Sequence, residues 1–232
     1  MEIIVIVGVV GVLFLIVRIA FIARDRGLIE SVTDVSRGEW SERDLVLQLL
    51  KNGIPKTAIF HDVYVQKRNG GFSQIDVVVA TKVGMIGFEV KDYSGWIFGN
   101  GNQRQWTQVL AYGKERYRFY NPIMQNYWHI AKLRKRLRQF EDIPFFSVIV
   151  FYGDCELREI SFVPQGTFVT TADRVLEVVN AILAQNKLAN YTDKWEVVNI
   201  LKTDMRNGEN SEVIASHIED IKDRLGKDRV FR

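Results

Sequence analysis

One cysteine, four prolines and three histidines are all that this chain of 232 residues has of those types. A lone thiol, Cys155, cannot close an internal disulfide, rules out paired-cysteine zinc motifs and agrees with a reducing compartment. Its neighbours Asp154 and Glu156 disfavour a thiolate, so Cys155 is not read as a nucleophile. His61, His129 and His217 are scattered and give a zinc site no support. There is no Gly-x-x-x-x-Gly-Lys phosphate loop, no Gly-x-Ser-x-Gly elbow, no internal repeat and no low-complexity block. The remaining composition, 47% hydrophobic and 25% charged, is that of an ordinary globular domain.

The first thing present is a long apolar run. Ile3 to Val17 carries no charge, and Ile19 to Ala23 extends it past Arg18. At ~1.5 Å per residue, Ile3 to Ala23 as a helix can cross a hydrocarbon core of ~30 Å, with Arg18 snorkelling at one end. The run lacks the basic n-region and small-x-small site of a cleaved signal, so residues 1–23 read as an uncleaved signal anchor. Arg18, Arg24 and Arg26 lie at its C-terminal end and Glu2 alone precedes it. The positive-inside rule then predicts a single-pass membrane protein with a short N-terminus outside and a cytoplasmic C-terminal domain. Residues 24–37 are expected to be a juxtamembrane linker.

The second is a predicted β-hairpin. Gln74-Ile75-Asp76-Val77-Val78-Val79-Ala80 and Met85-Ile86-Gly87-Phe88-Glu89-Val90-Lys91 both read as strands, with Thr81 to Gly84 as the turn. Alternation predicts Ile75, Val77, Val79, Ile86, Phe88 and Val90 on one buried face and Gln74, Asp76, Glu89 and Lys91 on the other. A two-residue turn of Lys82 and Val83 would set Asp76 opposite Glu89 and Gln74 opposite Lys91. Opposed carboxylates repel unless a cation lies between them. A divalent metal, Mg²⁺ or Mn²⁺, held by Asp76, Glu89 and the Val90 backbone carbonyl would suit phosphodiester hydrolysis, with Lys91 orienting water or stabilising the phosphoryl oxygens. The competing reading is a solvated charge cluster on an exposed hairpin face.

The third is a basic, aromatic tract. Arg104, Lys114, Arg116, Arg118, Lys132, Arg134, Lys135, Arg136 and Arg138 face a single acid, Glu115, although the whole chain carries only +3. Such clustering favours phosphate backbones, making these nine the candidate nucleic-acid-binding residues, and an anionic membrane would attract the same face. On a predicted helix over 122–140, Met124, Trp128, Ala131, Leu133 and Leu137 form an apolar stripe that leaves the cations outward. The interleaved Trp106, Tyr112, Tyr117, Phe119, Tyr120, Tyr127 and Trp128 could stack on bases, but large aromatics more often serve burial, and core is the expectation.

Four motifs in order carry a family resemblance: Gly38-Glu39-Trp40-Ser41-Glu42 with Leu45 and Leu49; Gln74-Ile75-Asp76; Glu89-Val90-Lys91 with Gly95 and Gly99; and Trp106 with Asn121-Pro122 and Gln125. From about Ser36 to Phe140 the chain resembles the NERD (nuclease-related) domain of the restriction-endonuclease-like PD-(D/E)xK group, with Ser41 replacing the usual second glycine. The resemblance implies a catalytic set of Glu42, Asp76, Glu89 and Lys91, with Gln74 accessory. It also implies nucleic acid as partner, DNA ahead of RNA, and a homodimer. By its position alone Glu42 is equally a partner for a helix N-terminus. Asn121-Pro122 suits a helix start with Pro at the first position.

The predicted architecture is α/β: a restriction-endonuclease-like core of order α-β-β-β-α-β over 38–152, a mixed sheet flanked by helices, preceded by one transmembrane helix. Its elements are a helix at 39–51, strands at 58–66, 73–80 and 85–91, an irregular Gly-rich stretch at 94–102, the helix at 122–140 and a strand at 145–151. Residues 153–232 follow as a C-terminal extension packed on the core, with a strand near 167–170 and three helices. Two functions are carried forward: a membrane-anchored, metal-dependent endonuclease, and a catalytically inactive, membrane-tethered nucleic-acid-binding or interaction module.

Overall fold

A computed structural model describes residues 2–67, 70–140 and 142–225, with side chains described for 10–67, 70–140 and 142–219. Six helices, α1 (Glu2–Glu30), α2 (Trp40–Lys51), α3 (Pro122–Arg136), α4 (Val175–Gln185), α5 (Lys194–Arg206) and α6 (Ser211–Leu225), surround two sheets. The first sheet contains β1 (Ile59–Gln66), β2 (Phe72–Thr81), β3 (Gly84–Asp92), β7 (Phe145–Tyr152) and β9 (Thr167–Thr171), in the order β1-β2-β3-β7-β9. Its first three strands form an antiparallel meander, and β7 and β9 add in parallel. The second contains β4 (Gly95–Asn100), β5 (Gln105–Leu110), β6 (Glu115–Tyr120) and β8 (Cys155–Ser161), in the order β6-β5-β4-β8.

The first sheet is covered on both faces, as expected of strands that read as continuous apolar runs. On one side Leu45, Val46 and Leu49 of α2 and Val175, Val179 and Ile182 of α4 pack on Val77, Val79, Ile86, Phe88 and Val148. On the other, Leu133 and Leu137, from the end of α3, and Val197 and Leu201 of α5 pack on Phe60, Val78 and Met85. A third cluster joins the sheets: Trp106 of β5 stacks on Phe151 of β7 at 6.1 Å between centroids and 6° between planes.

Helix α3 starts where its sequence says it should. The Asn121 side chain accepts the Ile123 and Met124 N–H groups and Pro122 needs no partner at the first position. The Asn121 amide in turn donates to the carbonyls of Asn100, Gly101 and Gln103, pinning the helix to the β4–β5 turn. Of the predicted stripe Leu133 and Leu137 are buried, but the first turns bury Ile123, Asn126 and Ile130 in place of Met124 and Trp128, and Trp128 is 55% exposed. The reason is Asn126, which faces the sheet because its amide donates to the Gly87 carbonyl and to Ser147 Oγ. Gly87 permits this approach, since a Cβ there would meet Ile130 Cγ1 at 3.0 Å.

The second sheet was not expected from the sequence, which suggested irregular chain over 94–102. Its strands are only six or seven residues long, β4 carries two glycines, β6 and β8 are charged, and β6, with Arg116, Tyr117 and Arg118, is almost wholly exposed. Such strands lack the apolar alternation that marks a half-buried sheet.

The expected membrane span, Ile3–Ala23, begins in residues 2–9, whose side chains lie outside the described ones. Among the described residues no helix is long and apolar enough to cross a membrane. The large apolar side chains of α1 from Val10 to Ile22 are each 45–67% exposed. Beyond α1, Thr33 and Arg37 tie the chain to β1 through His61 and Asp62.

Candidate active site

Strands β2 and β3 pair as expected from Thr81–Gly84 to Val77–Phe88, and there the ladder stops. β2 continues alongside β1, with Gln74 opposite Tyr64, while β3 continues alongside β7, with Glu89 opposite Ile149 and Lys91 opposite Phe151. The hairpin therefore opens as a fork, and neither expected pair forms: Asp76 is not paired with Glu89, nor Gln74 with Lys91. Backbone groups freed at such a fork need partners. Asp76 supplies one, its Oδ2 accepting the Val90 N–H at 2.7 Å. Opposite Asp76, Asp62 breaks β1 with φ 57°, so no pair forms there. Past this irregularity Ile75 joins Phe60, Val63 and Val65 on the other face from Val77, contrary to simple alternation.

Glu89 is fully buried on the α3 side of the fork. Its Oε1 accepts the Lys91 ammonium at 2.5 Å. Its Oε2 lies 3.2 Å from His129 Nδ1 of α3. Both atoms are buried with no other partner, so this close contact is all that either one has. Burial works to raise the Glu89 carboxyl, but Lys91 and His129 outweigh it and hold its pKa below the usual carboxylate range. Asp76 goes the other way: burial, then repulsion by Glu89 and Glu42, push it well above that range despite Lys91 and the Val90 N–H. Burial works to lower the Lys91 ammonium, but Glu89 and Asp76 outweigh it and raise its pKa. Lys91 therefore stays charged and is the protein's own counter-ion to two carboxylates.

Glu42 and Gln74 are turned to neighbours of this trio. Glu42, in the first turn of α2, contacts His61 Nε2 at 3.1 Å, and His61 Nδ1 contacts Thr33 Oγ1 at 2.8 Å. Gly38, at φ +62°, leaves room for the pair, since a Cβ there would overlap Glu42 Oε2 and approach His61 Nε2 to 2.6 Å. Gln74 donates to Asp62 Oδ1 at 2.9 Å, and Asp62 is clamped by Arg37, which also reaches the Met205 carbonyl.

A cleft of about 490 Å³ opens beside Asp76, lined by Ser73 and Gln74 of β2, Gln125, Trp128, His129 and Lys132 of α3, Arg104, Tyr120 and His217. It divides the predicted basic tract. Arg104 and Lys132 line the cleft, with Lys132 Nζ on Ser73 Oγ at 2.9 Å. Lys114, Arg116 and Arg118 stand exposed at or near β6, and Lys135 and Arg138 are exposed at the end of α3. Arg134 lies over the Phe145 ring and Arg136 pairs with buried Asp204, so these two hold structure rather than pointing freely outward. The aromatics also divide: Trp106 is core, but Tyr112, Tyr117, Tyr120, Tyr127 and Trp128 are 38–94% exposed, against the expectation of burial.

The model of the nuclease-related domain family, NERD, matches residues 37–152, half of the chain. The chain belongs to the NERD family. An uncharacterized protein of Bacillus anthracis is 32% identical over 126 residues, 54% of this chain, which spans 57% of that relative's length. No solved structure matches. The matched segment contains α2, the forked hairpin, the whole of α3 and β7, and so all five of the expected catalytic side chains.

Among the described residues no three His, Cys, Asp or Glu side chains converge as a metal-holding group. The Asp76–Glu89 pair is a donor set of another kind. Two carboxylates with a buried acceptor lacking a hydrogen bond, Glu89 Oε2, fit a hard cation that keeps several waters. His129, His61 and Asp62 were missed in the sequence because their partners come from other elements. The thiol of Cys155 is pushed up by burial, Asp154, Asp173 and Asp92, consistent with an unreactive cysteine.

Proposed function

We propose that this NERD domain hydrolyses nucleic-acid phosphodiester bonds with a divalent metal, Mg²⁺ or Mn²⁺, held by Asp76, Glu89 and the Val90 carbonyl. The observation that carries the reading is the fork itself, where fully buried Glu89, bonded to Lys91, lies close enough to repel Asp76, a partly buried carboxylate that opens onto the cleft. When bound, the metal supplies a water of lowered pKa and neutralises charge on the phosphoryl group. Lys91, kept protonated by the two carboxylates, acts as an electrostatic donor to the phosphoryl oxygens rather than as a base. Glu42, itself held by His61, lies close enough to repel Asp76, and Gln74 fixes Asp62, which stands opposite Asp76 on β1.

The large exposed apolar side chains of α1 from Val10 to Ile22, interrupted by one charge at Arg18, support the anchor, since a helix of that kind is stable in lipid or within a protein core. With Arg18, Arg24 and Arg26 at its C-terminal end, the domain would lie on the cytoplasmic side, where nucleic acid is available.

The test is Mg²⁺- or Mn²⁺-dependent cleavage of mixed DNA and RNA by the full chain in detergent, beside Asp76→Ala and Lys91→Ala. Metal-dependent cleavage lost in both variants is the expected result. The Lys91–Glu89 ion pair, which already neutralises one carboxylate, favours a second reading: a tethered, catalytically inactive nucleic-acid-binding module. Folded protein that binds nucleic acid at low salt but cleaves none would establish that reading instead.

A further inference from the structure

One flank of α3, beside its buried stripe, carries Gln125, Trp128, His129 and Lys132, spaced i, i+3, i+4 and i+7, and all four line the cleft beside Asp76. Trp128 is the unusual member. An indole is the largest apolar side chain a core can use, yet this one is 55% exposed, with Tyr127 edge-on to it at 5.2 Å and 76° between planes. Tyr120, at the end of β6, is 38% exposed and lines the same cleft. Arg104 and Lys132 supply positive charge, and among the described residues of the lining Asp76 is the one acid. Aromatic faces and cations around one carboxylate match a ligand that is both planar and anionic. The cleft's volume of about 490 Å³ lies within the ~300–1,000 Å³ of ordinary ligand pockets.

A duplex offers an aromatic ring only base edges and backbone, because its base faces are stacked inside. A single strand offers the faces themselves. We propose that this cleft takes a single-stranded or locally unpaired nucleic-acid segment, with a base stacked on Trp128 and Tyr120 and the adjoining phosphates at Arg104 and Lys132. This deepens the nuclease reading, because it places the unpaired strand beside Asp76. Of the β6 strand only its last residue, Tyr120, lines the cleft; Arg116 and Arg118 stand exposed outside it and contribute charge.

The experiment is equilibrium binding of a short labelled single strand, and of a hairpin duplex of the same composition, to the full chain in detergent with EDTA present so that no cleavage is read. The single strand binds more tightly. Trp128→Ala weakens its binding by about 5- to 150-fold, the equivalent of ~1–3 kcal/mol for one stacked base, and leaves duplex binding unchanged. Trp128→Phe, which keeps a π-face, retains most of the affinity. Trp128 is exposed, so matching melting curves for the variants exclude a folding effect. Equal single-strand binding by wild type and Trp128→Ala, or tighter binding of the duplex, overturns the proposal. The two readings fail separately. Trp128-dependent single-strand binding without cleavage in any metal removes the nuclease and leaves the subsite. Metal-dependent cleavage of duplex that ignores Trp128 does the reverse.

Discussion

The two sheets divide the labour. The five-stranded sheet buries both faces under helices, and its central strands carry Asp76, Glu89 and Lys91 where β2 and β3 part. The four-stranded sheet is short, polar and exposed at its β6 edge, and the turn and strand end beside its second strand supply Arg104 and Tyr120 to the cleft. Charged groups that must be held against mutual repulsion are rooted in a rigid, apolar sheet. Groups that would meet a flexible polymer are on the sheet that solvent reaches. The same split shows in electrostatics: the carboxylates and Lys91 perturb one another strongly because they are buried, whereas the β6 cations stand in water.

Breaking that division should give effects of very different size. The largest is in the buried pair: Glu89→Gln lowers cleavage by roughly a thousandfold or more, the several kcal/mol expected when a metal-holding, charge-balanced group is lost, while low-salt nucleic-acid binding survives. Next is the packing beneath it. Phe88→Ala, at a fully buried position of β3, should cost about 3–5 kcal/mol in denaturant unfolding, against roughly 0.5 kcal/mol or less for Tyr117→Ala on β6. A result in which the two cost the same would dissolve the comparison.

A smaller and opposite effect belongs to Asp76. Its folded pKa is raised above the unfolded value of about 3.9, so its contribution to stability is full below that value and is lost as pH rises through the folded pKa. Glu89, with a lowered folded pKa, contributes stability above its unfolded value of about 4.3 and loses it as pH falls through the folded one. Asp76→Asn, which can still accept the Val90 N–H, should therefore stabilise the fold at neutral pH by on the order of 1 kcal/mol while removing cleavage. A urea midpoint at pH 7 that does not rise would contradict this assignment of the strain. The smallest effect is at the edge: Arg116→Ala should weaken binding evenly across sequences, reduce the slope of log K against log salt by about 1, and leave the melting temperature where it was.

How much of this was legible in the sequence follows from where each partner lies. The hairpin, its turn and its register to Val77–Phe88 are local, and the helix start at Asn121-Pro122 is written in two adjacent residues. The fork is not local: it exists because β1 holds one strand and β7 the other, more than fifty residues apart along the chain from β3 to β7. His129 reads as an unremarkable helical histidine until α3 crosses the sheet and sets it against Glu89. Trp128 reads as core for the same reason in reverse, because the hydrogen bonds of Asn126 to Gly87 and Ser147 decide which face of α3 turns inward.

By itself the sequence determined the composition of the site, the apolar N-terminal run, the basic tract and the order of the principal elements, because these depend on residue type and on periodicities of two and 3.6. Tertiary structure alone decided which groups meet: the second sheet, the Glu42–His61 and Gln74–Asp62 contacts, the separation of the cations into those at the cleft, those in ion pairs and those in water, and the exposure of Trp128. Burial and electrostatic coupling arise from packing between distant segments, and neither has a period that a chain can display.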